Sequence, residues 1–317
     1  MRHVVLRAGA VRNSGEEDMP EAAKRLRRMD RFGRAGYLAG LRAFAAAGLA
    51  REERPHSGYG VIVGTRHGCR SAITEHAARL AAARRVEDLA PAVFAATVHN
   101  TVSGELAIAL GLGGVSEAIV SGRTAGLEAL ILGARRIAGG DADRVLVVAA
   151  EGIDDAMRAA WEEEKLAFGE RAAGVELVET GAAVVLEAEE ISSNERSPVR
   201  YVSGTLFFQP DARRAAARVL EWVKRVEAQA GRGAAPAAIT LCGPSYEDFL
   251  EGNTEGTLEA PQCERFGAAG VYEIAHDVAR IARAAPSTSS PSKKIRVYVT
   301  RDMTGGVAAV ALESSSP

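Results

Sequence analysis

The sequence predicts an α/β fold made of two related halves, each a mostly parallel sheet covered by helices. Three observations carry this. Short runs rich in β-branched residues recur along the chain, each bounded by glycine or charge. Longer Ala/Leu/Arg segments with apolar residues at three and four spacing lie between them. The whole series then starts again after Glu190.

In the first 190 residues the strand runs are His3 to Leu6, Tyr59 to Gly64, Ala118 to Val120, Val145 to Ala149 and Ala183 to Leu186. They are continuous apolar runs, which fits strands covered on both faces. Helices are expected at Gly36 to Ala47, Ser71 to Ala83 and Thr124 to Ala138. A polar stretch, ISSNERSP, marks the boundary, so the halves are residues 1–190 and 191–317. Beyond it, Val199 to Val202, Ala238 to Leu241, Ile295 to Val299 and Val307 to Leu312 read as strands. Ala212 to Ala230 and Ala268 to Arg283 read as helices. Strands alternating with helices favour parallel pairing, and the recurrence favours two copies of one plan over two unrelated domains. Gly252 to Gln262 and the Ser/Pro-rich Pro286 to Lys294 read as loops.

Composition narrows the function classes. The 317 residues are 47% hydrophobic and 25% charged, the balance of a globular chain able to bury a core. A net charge of -2 gives no global attraction to nucleic acid or an anionic membrane. Cys69, Cys242 and Cys263 lack any disulfide or zinc spacing, which fits free thiols in a reducing cytoplasm. No apolar run reaches the ~20 residues of a membrane helix, and the start, broken by Arg7 and Arg12, lacks a secretory core. Phosphate loops, GxGxxG after a strand and HExxH are all absent, so neither a nucleotide cofactor nor a metal is expected.

The most informative stretch runs from Gly111 to Gly152, GLGGVSEAIVSGRTAGLEALILGARRIAGGDADRVLVVAAEG. A strand turns through small residues, Ser121 to Gly126, into a helix. Such an elbow presents one side chain at a helix N-terminus, where free amides favour an anion. The residue presented is Arg123. Counted back from GDAD at Gly140 to Asp143, the segment resembles the active-site elbow of β-ketoacyl-ACP synthases. Arg123 then stands at the position of the family's nucleophilic cysteine. RRMDRFGRAGYLAGLRAFAAAGL from Arg27, GVIVGT from Gly60 and GAAVVLEAEE from Gly181 match the same family in order.

The resemblance implies a thiolase-like fold, two βαβ halves in a five-layered α-β-α-β-α arrangement, the second half shortened. It also implies that the family's remaining chemistry is missing. CGPS puts Cys242 where the family has a histidine, and EAPQCERFGAAG puts Glu259 and Glu264 where it has a lysine and a second histidine. Thr304, Gly305 and Gly306 replace its Phe-Gly-Gly turn. The degenerate positions are therefore Arg123, Cys242, Glu259 and Glu264, and no catalytic residue is expected. An arginine at the positive end of a helix needs a carboxylate, and the family's geometry would bring Glu264, Glu259 or Glu247 beside Arg123, Glu264 first; the alternative is a side chain that snorkels to the surface over its apolar neighbours.

Such a chain is similar to the chain length factors of type II polyketide and aryl polyene systems, inactive copies that pair with an active ketosynthase. The expected partners are that ketosynthase, as a heterodimer, and an acyl carrier protein. Two rivals remain: an acyl-transfer or thioester-hydrolysing enzyme using Cys242, and a homodimeric scaffold. His67 and His99 lie near strand ends, but a lone histidine is more often a hydrogen-bonded structural residue. The basic run from Lys24 to Arg34 could dock an acidic partner, though charged helix faces are usually solvated.

Overall fold

The computed structural model describes residues 2–13, 23–51, 53–85, 91–168, 175–192, 199–230, 237–242, 258–259, 263–283, 293–302 and 304–315. The first half contributes strands β1 (Val4–Asn13), β2 (Tyr59–Thr65), β3 (Ser116–Val120), β4 (Arg144–Glu151), β5 (Glu176–Leu177) and β6 (Thr180–Ala188). Its helices are α1 (Ala23–Leu26), α2 (Arg31–Ala46), α3 (Arg70–Ala82), α4 (Pro91–Ala95), α5 (Thr101–Leu110), α6 (Ala125–Gly139) and α7 (Asp155–Phe168). The second half contributes β7 (Val199–Phe208), α8 (Ala212–Ala230), β8 (Ala238–Leu241), β9 (Leu258–Glu259), β10 (Cys263–Glu264), α9 (Ala269–Arg283), β11 (Lys293–Arg301) and β12 (Gly306–Ser315).

Ten of these strands form one sheet in the order β3-β2-β4-β6-β1-β7-β12-β11-β8-β9. Read inward from each end, the two halves are the same object. Each runs through its own third, second, fourth, fifth and first strand of this sheet, with the first two pairings parallel and the next two antiparallel. They meet at β1 and β7, joined through only Val4 to Leu6 against Tyr201 to Val199. We propose that the division between them falls between residues 190 and 191. The expectation of a mostly parallel sheet is corrected at the centre, where β4, β6, β1, β7, β12 and β11 pair antiparallel. One cause is plain: a few residues separate β11 from β12, and so short a turn closes only an antiparallel pair.

Strand periodicity then sorts side chains into three apolar layers. Val145, Val147 and Ala149 of β4, with Ala308, Val310 and Leu312 of β12, face an inner core around α6 and α9. Their neighbours Leu146, Val148 and Ala150 face α2 and α5. Val307, Ala309 and Ala311 face α8 through Val219, Trp222 and Val226. The result is a five-layered α-β-α-β-α stack, with α6 and α9 between the half-sheets. Asp30 caps α2 by accepting from the Gly33 amide at 2.8 Å, and Gly140 ends α6 in the left-handed region at φ +87°.

The loop expected at Gly252 to Gln262 lies outside the described residues except for β9, and that at Pro286 to Lys294 except for the first residues of β11. Among the described residues, no helix is long and apolar enough to cross a membrane.

Candidate functional site: a buried ion network at the elbow

β3 ends at Val120 and α6 begins at Ala125, so Ser121 to Thr124 make the turn. Close contacts fix it. A Cβ at Gly126 would stand 2.5 Å from the Gly267 carbonyl oxygen, and one at Gly64 2.4 Å from that of Ala125. Glycine at these crossings lets β2 and the 266–268 turn clamp the helix start. Ser121 Oγ donates to Glu128 at 3.0 Å, and the Thr124 hydroxyl donates to the same carboxylate. The turn's hydroxyls are thus engaged with the first turn of α6.

Arg123 points inward. It is 1% exposed, and its Nε donates to Oε2 of Glu264 at 3.0 Å, a carboxylate that is itself fully buried. The ion pair expected from sequence, Arg123 with Glu264, is therefore present. It is one link of a longer chain. Nη2 of Arg123 donates to Glu164 Oε2 at 2.9 Å, and the other oxygen of Glu164 accepts from Arg66. Two guanidinium groups alternate with two carboxylates, so the buried charges compensate one another. The Arg123 guanidinium also lies 5.9 Å from the ring centroid of Trp161, a fully buried indole that donates to the Val175 carbonyl.

Four separate segments supply this network. Arg66 follows β2, Glu164 and Trp161 sit one turn apart on α7, and Glu264 ends β10, which pairs in parallel with β5. The same loop after β2 is tied down by Glu151 at the end of β4. That buried carboxylate accepts from Thr65 Oγ1 at 3.1 Å, from the amides of Arg66 and His67, and from His67 Nδ1 at 3.3 Å. Burial pulls the Glu164 carboxyl upward, but hydrogen bonds and attraction from Arg66 and Arg123 outweigh it and hold its pKa below the usual carboxylate value.

The other positions singled out from sequence fall elsewhere. Cys242 follows β8, fully buried in the inner apolar core, its thiol directed at the Thr240 carbonyl at 3.7 Å. Burial raises its pKa well above the ordinary thiol value, so it is a protonated small hydrophobe. Glu259 lies on β9 opposite Thr240, and its side chain is outside the described residues, as is all of Glu247. His67 is bound to Glu151, and His99 Nδ1 lies 3.5 Å from Cys69 Sγ. The Cys69 thiol is raised to about 11 by burial. The basic run does structural work: Arg25 pairs with Glu105, Arg31 with Glu179, and Arg34 donates to the Leu26 and Met29 carbonyls. Among the described residues, no cluster of His, Cys, Asp or Glu is arranged to hold a metal.

Glu164 and Arg66 were not foreseen. Glu164 sits in the run WEEEK, which reads as a solvated helix face. The available signal was Trp161: at a spacing of three it shares a helix face with Glu164, so burying one draws in the other.

Comparison with known proteins agrees with this architecture. The model of the family described as "Beta-ketoacyl synthase, N-terminal domain" matches residues 12–191, and the chain belongs to that family. The 3-oxoacyl-[acyl-carrier-protein] synthase 2 of Vibrio cholerae serotype O1 is 35% identical over 129 residues, 40% of this chain and 31% of that protein. The match thus spans about a third of that relative's length. Three solved structures share the fold. One is a type II polyketide synthase acyl-carrier protein in complex with its ketosynthase bound to the hexaketide, at TM-score 0.77 and 18% identity over 100% of both chains. The ishigamide ketosynthase/chain length factor matches at TM-score 0.77 and 18% identity over 99% of both. A β-ketoacyl synthase from Burkholderia phymatum STM815 matches at TM-score 0.74 and 14% identity over 100% of both. The fold is that of the thiolase-like ketosynthases.

Proposed function

We propose that this chain is a non-catalytic ketosynthase-like subunit. It pairs with an active β-ketoacyl-ACP synthase in polyketide, aryl polyene or fatty-acid-like synthesis, in the manner of a chain length factor. The carrying observation is the elbow. Condensation of this class needs a thiolate to hold the acyl group and donors for the enolate formed by decarboxylation. A guanidinium has no lone pair to offer a thioester carbonyl, and Arg123 is committed to Glu264 and Glu164. A site that cannot tether a chain can still shape one at a shared interface.

The open edge of the sheet supports pairing. Among the described residues β3 pairs with β2 on one side only, and Val120 at its end is 46% exposed. A partner strand laid on that edge would stand beside the elbow. An acyl carrier protein is the second partner of this reading, delivering the chain to the active subunit.

The test is coexpression with a ketosynthase carrying an intact elbow cysteine. The pair should co-elute in equal amounts, and this chain alone should join no malonyl and acyl thioesters. Solitary elution, or condensation by the isolated chain, would defeat the reading. The rival enzyme using Cys242 needs an accessible thiolate, whereas that thiol is sealed and held in its protonated form. A homodimeric scaffold remains the outcome if sedimentation shows two copies that no ketosynthase displaces.

A further inference from the structure

Glu164 is held as a ligand would be held. Its Oε2 accepts from Nη2 of Arg123 at 2.9 Å and from Nη1 of Arg66 at 3.3 Å, while Oε1 accepts from Nη2 of Arg66. Two guanidinium groups thus share one carboxylate, and Arg66 grips both of its oxygens. Planar forks of this kind recognise carboxylates by shape as well as charge.

Both arginines are fixed without Glu164. Nε of Arg123 donates to the buried Glu264 at 3.0 Å. The amide of Arg66 donates to Glu151, whose carboxylate also accepts from the His67 amide at 3.2 Å. A Cβ at Gly267 would stand 2.8 Å from the Arg66 amide nitrogen, so the turn before α9 packs against the same backbone. The pair of cations therefore stays assembled when its carboxylate leaves. Burial divides the four groups unequally: the side chains of Arg123 and Glu264 are 1% and 0% exposed, those of Glu164 and Arg66 20% and 23%. Solvent reaches the network at the Glu164 end.

The element that carries Glu164 is lightly attached. Of the described side chains of α7 only Met157 and Trp161 are buried, and their apolar cluster, with Ile153, Val175 and Leu177, is drawn wholly from residues 153–177. A cavity of about 430 Å³ runs along the flank of α7 that carries Arg158, Glu162 and Lys165. Helix α7 thus has room to turn, and Glu164 with it.

We propose that Arg66 and Arg123 form a carboxylate-binding site at the elbow, that Glu164 occupies it from within the chain, and that a small carboxylate ligand takes its place as Glu164 turns outward. Tethering gives Glu164 a high effective concentration, so a free carboxylate enters only by outcompeting it. The site requires no ketosynthase partner, and its loss would leave the outcome of the coexpression experiment unchanged.

Replacing Glu164 by alanine removes the tethered competitor. Acetate, titrated into the full chain at constant ionic strength and followed by tryptophan fluorescence, should bind Glu164→Ala at least tenfold more tightly than wild type, because the competent state no longer has to be freed. Trp161, 5.9 Å from the Arg123 guanidinium, carries the signal. Acetate should also raise the melting temperature of that variant, and chloride at the same ionic strength should not. Adding Arg66→Ala to Glu164→Ala should abolish both effects, while Glu163→Ala, which removes an exposed neighbouring carboxylate, should titrate as wild type does. Glu164→Gln keeps the side-chain volume should the alanine variant fail to fold, and its neutral amide competes less, so it too should bind acetate more tightly than wild type. Equal acetate affinity in wild type and the Glu164 variants, equal rescue by chloride, or rescue that survives the loss of Arg66 overturns the site.

Discussion

A single guanidinium stands buried at the start of α6, and its surroundings make its contribution to the fold measurable. Arg123 and Glu264 are 1% and 0% exposed, so removing Arg123 takes the cation from a buried carboxylate, and removing Glu264 leaves the buried guanidinium to Glu164 on one side only. Losses of that kind cost about 3–5 kcal/mol. Glu264→Ala and Arg123→Ala should therefore each lower the melting temperature by many degrees, and the double variant should lose less than the two losses added. Calorimetry on the three variants checks this, and strict additivity would show that the groups are not coupled. Glu164 supplies the pH dependence. Its folded pKa lies below its unfolded value, so its contribution is complete above the unfolded pKa near 4.5 and fades as pH falls through the lower folded value. Glu164→Gln should then narrow the gap to wild type as melting is followed from pH 6 down to pH 3. Cys242 makes the opposite point: its buried, protonated thiol should resist iodoacetamide in the native protein and react only after denaturation.

At the level of elements, α7 and β5 close the site. Ile153, Met157, Trp161, Val175 and Leu177 form a separate small apolar cluster, and Trp161 is its largest buried member. Trp161→Ala removes that centre, and cavities of this size cost about 3–5 kcal/mol. Because the cluster is small and its own, the loss should surface as faster amide exchange in α7 and β5 before the large sheet is affected, a pattern mass spectrometry resolves. The same elements mark the limit of what was legible in sequence. Helix α8 and strand β8 were read to the residue, because their periodicity is clean and their ends carry Gly, Pro or charge. α7 was missed because its charged residues mask the apolar positions between them. The pair between Arg123 and Glu264 was legible because the family resemblance placed both at one site, whereas Glu164 and Arg66 join it through tertiary packing that no local pattern encodes. The parallel character of the sheet was overestimated for a related reason: alternation reports crossovers, and the antiparallel centre follows from short returns.

At the scale of the whole molecule, the repeated topology leaves β3 and β9 at the ends of the sheet among the described residues, and the β3 end adjoins the elbow. In a parallel pair the N–H and C=O of one residue point to the same side, and successive residues alternate. The Ser121 amide donates to Thr65 and the Val115 carbonyl accepts from Val61, so the odd-numbered residues face β2. Ser116, Ala118 and Val120 must then turn their amides and carbonyls toward the open edge, where a partner strand would pair with them. Ala118→Pro removes one outward amide and places a ring in the path of that partner while sparing every bond to β2. The variant should therefore melt within about 1 kcal/mol of wild type and still lose association with an active ketosynthase at least tenfold by analytical ultracentrifugation. Association at wild-type strength would show that the partner sits on another surface.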